Sequence, residues 1–249
     1  MHKTQEEIEK IREGGKILNR ILQQTAKLAK PGISTWDLNS FAEAEILKAG
    51  GRPSFKGFGP KGHQFPAGLC TSLNSVVVHG VPSKNQVLKE GDILGLDIGM
   101  EYKGLYTDTA ITVAVGNITK EAQRLLELTK KALSIGIEQA RIGNKVGDIS
   151  AAVQKVADDN HLGIIRDLVG HGVGHAVHED PQVPNYGKKG AGPELKEGLV
   201  IAIEPMFTLG TDDIFIEDDG WTVTTRDQSL AAHFEHTVAI TKNGPEILT

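Results

Sequence analysis

The chain of 249 residues contains one cysteine, Cys70, so no internal disulfide can form and a Cys-rich structural zinc site is excluded. It has no run of about 18 apolar residues, which excludes a membrane span. Its opening, MHKTQEEIEK, is charged and helix-like and lacks the apolar core of a signal segment. Basic charge is not in excess either. Lys and Arg total 27 against 32 Asp and Glu, a net charge of −5, so nothing asks for DNA or an anionic membrane as partner. These absences lead us to expect a protein of the reducing cytoplasm, with a monomer as the default. What is present is ordinary globular composition, 39% apolar and 24% charged, on a length that suits one large domain or two small ones.

The chain writes nearly the same strand twice. LKEGDILGLDIG runs from Leu88 to Gly99 and LKEGLVIAIEPM from Leu195 to Met206, each with an acid, Asp97 or Glu204, inside an apolar run. The repeat extends upstream. Thr4 opens a helical pattern through Ile8, Ile11, Leu18, Ile21, Leu22 and Leu28, and Thr4 with Glu7 spells a capping box. Thr119 opens a similar pattern through Leu125, Leu128, Leu133 and Ile137. Second helices follow over Trp36 to Lys48 and Gly147 to Asp159, and strand-rich sequence follows both. Two helices per half can cover the apolar face of a sheet. No Pro/Ser-rich linker intervenes. The expected architecture is one continuous α+β domain over residues 1–249, with pseudo-twofold-related helix–helix–strand halves at about 1–116 and 117–249. Asp97 and Glu204 would then face each other across the axis.

In EGDILGLDIGMEYKGLYTDTAITVAVG, two alternating strands flank Lys103-Gly104, a hairpin signal. A two-residue loop there sets Tyr102 against Leu105, Asp97 against Ala110 and Gly99 against Asp108. Asp97 and Asp108 then project from one face as diagonal neighbours about 7–8 Å apart at the backbone. Glu235, in HFEHTVAIT, adds a fourth acid in a strand-like context. A lone Asp in a strand is usually an edge or turn residue, but four unpaired buried carboxylates would each cost several kcal/mol. Cations must compensate. Two divalent ions match four negative charges, and oxygen donors with one imidazole suit Mn, Fe(II), Co or Mg. DLVGHGVGHAVHEDP supplies His171, His175 and His178, with Gly170, Gly172 and Gly174 arguing for strand or loop rather than a helical zinc pair.

At these residues the chain resembles type I methionine aminopeptidases, members of the pita-bread-fold metallopeptidases. The resemblance is carried by TSLNSVVVHGVP (Thr71–Pro82), LDIGMEYKGLYTDTA (Leu96–Ala110), GHGVGHAVHEDP (Gly170–Pro181), IEPM (Ile203–Met206) and FEHTVAIT (Phe234–Thr241), and spans essentially the whole chain. It implies a pita-bread fold, an antiparallel sheet covered by helices. It implies metal ligands at Asp97, Asp108, His171, Glu204 and Glu235, for two divalent ions, Mn, Fe(II) or Co. The implied reaction is removal of N-terminal methionine from nascent chains and peptides, with a bridging water activated by the metals attacking the first peptide carbonyl. Glu204 would also carry the proton, His178 would donate to the oxyanion, and His79 would orient the peptide nitrogen. Phe65, Cys70 and Trp221 would line the methionine pocket, although Phe65 and Trp221 read by themselves as core. Work on nascent chains also implies contact with the ribosome.

The resemblance assigns no role to His2, His161, His175, His233 or His236, and leaves His63, near the substrate entrance, undecided. The chain departs from familiar members at Val177, Gly59, Gly62 and Tyr106-Thr107, changes expected to widen the pocket. An Xaa-Pro peptidase of the same fold is the nearest alternative, but usually adds a substantial N-terminal domain. A non-catalytic pita-bread binding protein is a second alternative, and such proteins typically lose ligands. A metal-stabilised structural protein is a third, and gives His79 and His178 nothing to do.

Overall fold

The structure, a computed structural model, describes residues 2–249. Helices α1 (Gln5–Leu28) and α2 (Thr35–Lys48) precede strands β1 (Arg52–Pro53), β2 (Leu69–Leu73), β3 (Val76–Val78), β4 (Ile93–Tyr102) and β5 (Leu105–Ala114). Helices α3 (Lys120–Gln139) and α4 (Val146–Asn160) precede β6 (Gly163–Ile164), β7 (Gly170–Gly172), β8 (Glu179–Val183), β9 (Val200–Ile203), β10 (Met206–Thr208), β11 (Ile214–Ile216), β12 (Val223–Thr225), β13 (Ala231–His233), β14 (Glu235–Thr241) and β15 (Gly244–Ile247). The order helix, helix, strands therefore occurs twice, as the repeat predicts.

Three of the four helices start at a Ser or Thr cap. Thr4 accepts from the Glu7 N–H while the Glu7 carboxylate accepts from the Thr4 N–H, the reciprocal box that opens α1. Ser34 and Asp37 repeat the box on α2, and Thr119 caps α3. Apolar stripes on these helices then pack onto the sheet. Leu18, Leu22, Leu38 and Ile46 meet Leu94, Leu96 and Ile98 in one cluster. Leu125, Leu133, Ile149 and Val153 meet Ile201, Ile203 and Val238 in the other. A fully buried Leu or Ile contributes about 1.5–3 kcal/mol. Truncating one, such as Leu18→Ala, would cost about 2–5 kcal/mol.

The halves repeat their hydrogen bonds as well as their elements. In the first, Gly32 N–H donates to Leu88 O (2.9 Å), Leu88 N–H to Ile33 O (2.9 Å) and Thr35 N–H to Gln86 O (2.9 Å). In the second, Gly143 N–H donates to Leu195 O (3.3 Å), Leu195 N–H to Asn144 O (2.8 Å) and Val146 N–H to Pro193 O (2.9 Å). Both leucines open the LKEG strings. Each string is thus tied to the turn between its own two helices, which sets where the following strand begins.

The main sheet is antiparallel, with nine strands in the order β1-β4-β5-β14-β9-β7-β8, β2 pairing with β4 and β15 with β14. Helix-covered and built from two like halves, it is the pita-bread arrangement. Lys103 and Gly104 form the two-residue turn of the β4–β5 hairpin, both at positive φ (53° and 82°), as such a turn requires. The expected register follows, Asp97 facing Ala110 and Gly99 facing Asp108.

Candidate metal centre

Register alone gathers the acids. Asp97 on β4 pairs with Ala110 on β5, and Ala110 pairs in turn with Glu235 on β14. Continuing the β14–β9 register one step beyond His236–Ile203 sets Glu235 against Glu204. Asp108, two residues before Ala110, shares that face because side chains alternate along a strand. Gly172 pairs with Ile201, so His171 lies against Ala202 and projects on the side of Glu204. Five donors from both halves therefore point from one sheet face into a cavity of about 590 Å³.

Ligand atoms of Asp108, His171 and Glu235 all lie within 4.8 Å of one another. His171 Nδ1 lies 2.9 Å from Gly172 O, a bond it can make only as donor, which leaves Nε2 with its lone pair for a cation. That Nε2 is 3.5 Å from Glu204 Oε1. Asp97 Oδ1 and Asp108 Oδ1 are buried without any hydrogen-bond partner among the described residues. Burial pushes Asp97 up to about 6. Burial and then neighbouring carboxylates push Asp108 and Glu235 well above the usual range. Burial acts the same way on Glu204, but the imidazoles of His233, His171 and His178 outweigh it and hold that carboxyl low. Orphaned buried oxygens and mutually repelling carboxylates around a correctly prepared imidazole fit a divalent cation, whose charge would relieve all of them.

His79, His178, Phe65, Cys70 and Trp221 line the same cavity, so every candidate residue named from the sequence converges on one place. His79 sits at φ 57°, a left-handed conformation uncommon outside glycine. Gly80 beside it presses on the Thr71 carbonyl, 2.2 Å from where a Cβ would lie, so no larger residue fits. Burial lowers the His79 pKa. His178 lies at the exposed mouth, its ring edge-on to His171 (4.3 Å) and Phe58 (5.2 Å). Partial enclosure and then His171 push it down to about 4, so it is neutral at pH 7. Burial pushes the Cys70 thiol up, which makes it a poor nucleophile and a wall residue.

Two expectations need correction. Gly59 and Val177 do not enlarge this cavity. A Cβ on Gly59 would lie 2.8 Å from the Trp221 ring, so the indole already fills that space, and Val177 faces a neighbouring groove with Tyr106 and His175. His63 stacks on the outer face of Trp221 (5.5 Å), which places it at the rim. The other correction is His233, which the resemblance left without a role. It is 4% exposed, lines the cavity, and lies 3.5 Å from Glu204 through Nε2. His2, His161, His175 and His236 are structural, meeting Glu197 O, closing α4, meeting Glu7 and meeting Thr249 respectively.

Residues 9–242 match metallopeptidase family M24. A methionine aminopeptidase of Clostridium acetobutylicum is 49% identical over 247 residues, 99% of this chain and 97% of the relative. One from Aquifex aeolicus is 50% identical over 252 residues, again 99% and 97%. The crystal structure of methionine aminopeptidase from Thermotoga maritima superposes with a TM-score of 0.97 at 42% identity, covering 100% of this chain and 98% of that one.

Proposed function

The chain belongs to metallopeptidase family M24, and from that premise we infer that it removes the N-terminal methionine of polypeptides in a metal-dependent hydrolysis. The carrying observation is the shared sheet face, which brings Asp97, Asp108, His171, Glu204 and Glu235 into one cavity with buried oxygens left unpartnered. These residues would hold two divalent ions, Mn, Fe(II) or Co, whose positive charge offsets the four carboxylates. When bound, such ions polarise a carbonyl and make water a nucleophile near neutral pH.

The protein groups do the rest. Glu204, held low by three imidazoles, is a carboxylate able to take a proton and return it to the leaving amine. His178, neutral at the mouth, has a ring N–H to offer an oxyanion, a contribution of about 10²–10³ in rate. His79, fixed by its backbone and by Gly80, orients the peptide nitrogen. Phe65, Cys70 and Trp221 would wall an apolar recess of the cavity, which Met206 and Phe58 also line. Soft, apolar walls suit an unbranched thioether. The free amine of the substrate meets the acids, which confines cleavage to the chain end.

Among the described residues no helix is long and apolar enough to cross a membrane. We place the activity in the cytoplasm, in a single catalytic domain acting as a monomer on nascent chains, with co-sedimentation testing ribosome contact. The decisive experiment compares Met-Ala-Ser with Leu-Ala-Ser and Ala-Pro peptides after metal removal and return of Mn, Fe(II) or Co. Metal-dependent release of methionine alone, lost in His178→Ala, is the expected result. Cleavage before proline, or no turnover with any metal, would overturn the reading.

A further inference from the structure

The twofold repeat assigns a partner position to each site residue, and one of those positions is occupied by a residue that has so far had no role. Asp97 maps onto Glu204, and Ala110 maps onto Glu235. On β5, Asp108 faces Gly99, two residues after Asp97; on β13, His233 faces Met206, two residues after Glu204. His233 is therefore the second half's counterpart of Asp108. The backbone fastenings agree. Thr237 Oγ1 accepts from Asp108 N–H (3.0 Å) and donates to Asp108 O (2.8 Å). Thr112 Oγ1 accepts from His233 N–H (2.9 Å) and donates to His233 O (2.8 Å). Each half pins the other half's residue with one threonine.

The two imidazoles flanking Glu204 differ. His171 spends its Nδ1 proton on Gly172 O, so its Nε2, 3.5 Å from Glu204 Oε1, cannot donate to that oxygen and keeps its lone pair, with which it would hold a cation. His233 Nε2 lies 3.5 Å from Glu204 Oε2 and has no hydrogen-bond partner within the described residues. A buried imidazole nitrogen of this kind requires an acceptor, and the facing carboxylate oxygen is one. The Glu204 backbone is fixed independently, its carbonyl accepting from Asn185 Nδ2 (3.0 Å).

We propose that His233 is a positioning residue for Glu204: its Nε2–H donates to Oε2 and turns the carboxylate so that Oε1 faces His171 and the cation site. The proposal rests on the reading of Glu204 as metal ligand and proton carrier. Partners at one remove from a metal are typically worth 10–100-fold in affinity or activity.

The test uses full-length His233→Ala, His233→Leu and His233→Gln, the last placing an amide N–H near the lost Nε2. Steady-state kinetics on Met-Ala-Ser are paired with calorimetric Co(II) titration of the metal-stripped protein and with its Co(II) absorption spectrum. Ala and Leu are expected to lower kcat by about 10–100-fold at little-changed KM, to weaken Co(II) and to alter the spectrum, while Gln restores most of each. Wild-type kcat and Co(II) affinity in His233→Ala would overturn the proposal. Equal damage in Gln and Ala with a lowered melting temperature would make the role packing. Loss of one bound Co(II) in all three would make the imidazole a ligand. If the wild type fails to cleave Met-Ala-Ser, the functional reading fails, and the Co(II) data still decide whether His233 sets Glu204.

Discussion

The first half of the chain carries its acids on two unbroken ten-residue strands, β4 and β5, whereas the second half carries its donors where the equivalent strands break. β9 stops at Ile203 and β10 resumes at Met206, with Glu204-Pro205 between; β13 stops at His233 and β14 starts at Glu235, with Phe234 between. Proline has no N–H for the ladder, so Pro205 only accepts, from the Phe234 N–H (3.4 Å), and regular pairing stops there. The segments beyond the break, β10 and β13, join β6 in a separate small sheet. The continuous hairpin presents short aspartates, and the interrupted one presents glutamates and a histidine, whose longer side chains reach the same cavity. Two copies of one motif have been made complementary by changing side-chain length and backbone continuity together.

The largest expected effect comes from removing a donor from the continuous hairpin. Asp108→Asn should lower kcat/KM by at least about 10³-fold, beyond the 10–100-fold of a residue one remove from a metal. In the metal-free protein the sign should reverse, because one buried repelling carboxylate has gone, and the melting temperature should rise. The pH dependence follows from the same repulsion. Asp97, pushed up to about 6, and Asp108 and Glu235, pushed well above the ordinary carboxylate range, keep protons in the folded state that the unfolded chain has released. The contribution of these three groups to the stability of the metal-free protein is therefore fully present below the ordinary carboxylate range and is lost as pH rises through their raised values, about 6 for Asp97. Melting curves between pH 5 and 8 should slope downward without metal and flatten with Mn(II). A rising curve without metal would contradict the burial of these groups.

Much of this contrast was legible in the residues. The LKEG repeat, the Lys103-Gly104 turn and the alternation around Asp97 and Asp108 are local signals, and turn geometry propagates them into register. The convergence of Glu204 and Glu235 needed the long-range β14–β9 pairing, which no local pattern encodes. His171 was recognisable only through resemblance, since its glycine neighbours hide any period. Family resemblance assigns His233 no role, so it does not reveal this residue. Carried one step further, the internal repeat marks it, two residues before Glu235 as Asp108 is two before Ala110. The filling of space above Gly59 by Trp221 lay out of reach, because it depends on residues far apart in sequence.

A second asymmetry is the N-terminal arm of the first half, which reaches across to the second. Lys3, with a fully buried side chain, pairs with Glu179 at 2.7 Å, and Glu179 also accepts from the Ala176 N–H (3.0 Å) in the loop that carries His178. Lys3→Met removes a buried cation 2.7 Å from that carboxylate, and should cost up to about 3–5 kcal/mol in chemical unfolding. If the loop shifts as well, KM for Met-Ala-Ser should rise with it. Next in size are the paired threonines. Thr112→Val and Thr237→Val each orphan a buried N–H and C=O, and should each cost about 1–3 kcal/mol. Near-equal losses would support the symmetry, and a loss at one site alone would break it.

The smallest effect separates the two leading helices. Thr4 caps α1 within a reciprocal box, and Glu7 accepts from the Thr4 N–H at 2.7 Å as well as from His175. Thr119 caps α3 by a single bond from Ala122 N–H, 3.1 Å, with no box. Replacing either by Ala should cost about 1 kcal/mol. Thr4→Ala should cost slightly more, since the box couples cap and carboxylate. The Thr4 N–H, and then His175, hold Glu7 down to about 2 from its ordinary 4.5. Its contribution is thus complete above about pH 4.5 and fades as pH falls toward 2. The gap between Thr4→Ala and Thr119→Ala should therefore narrow on acidification, and a gap independent of pH would show that the Thr4 hydroxyl and the Glu7 carboxylate act independently.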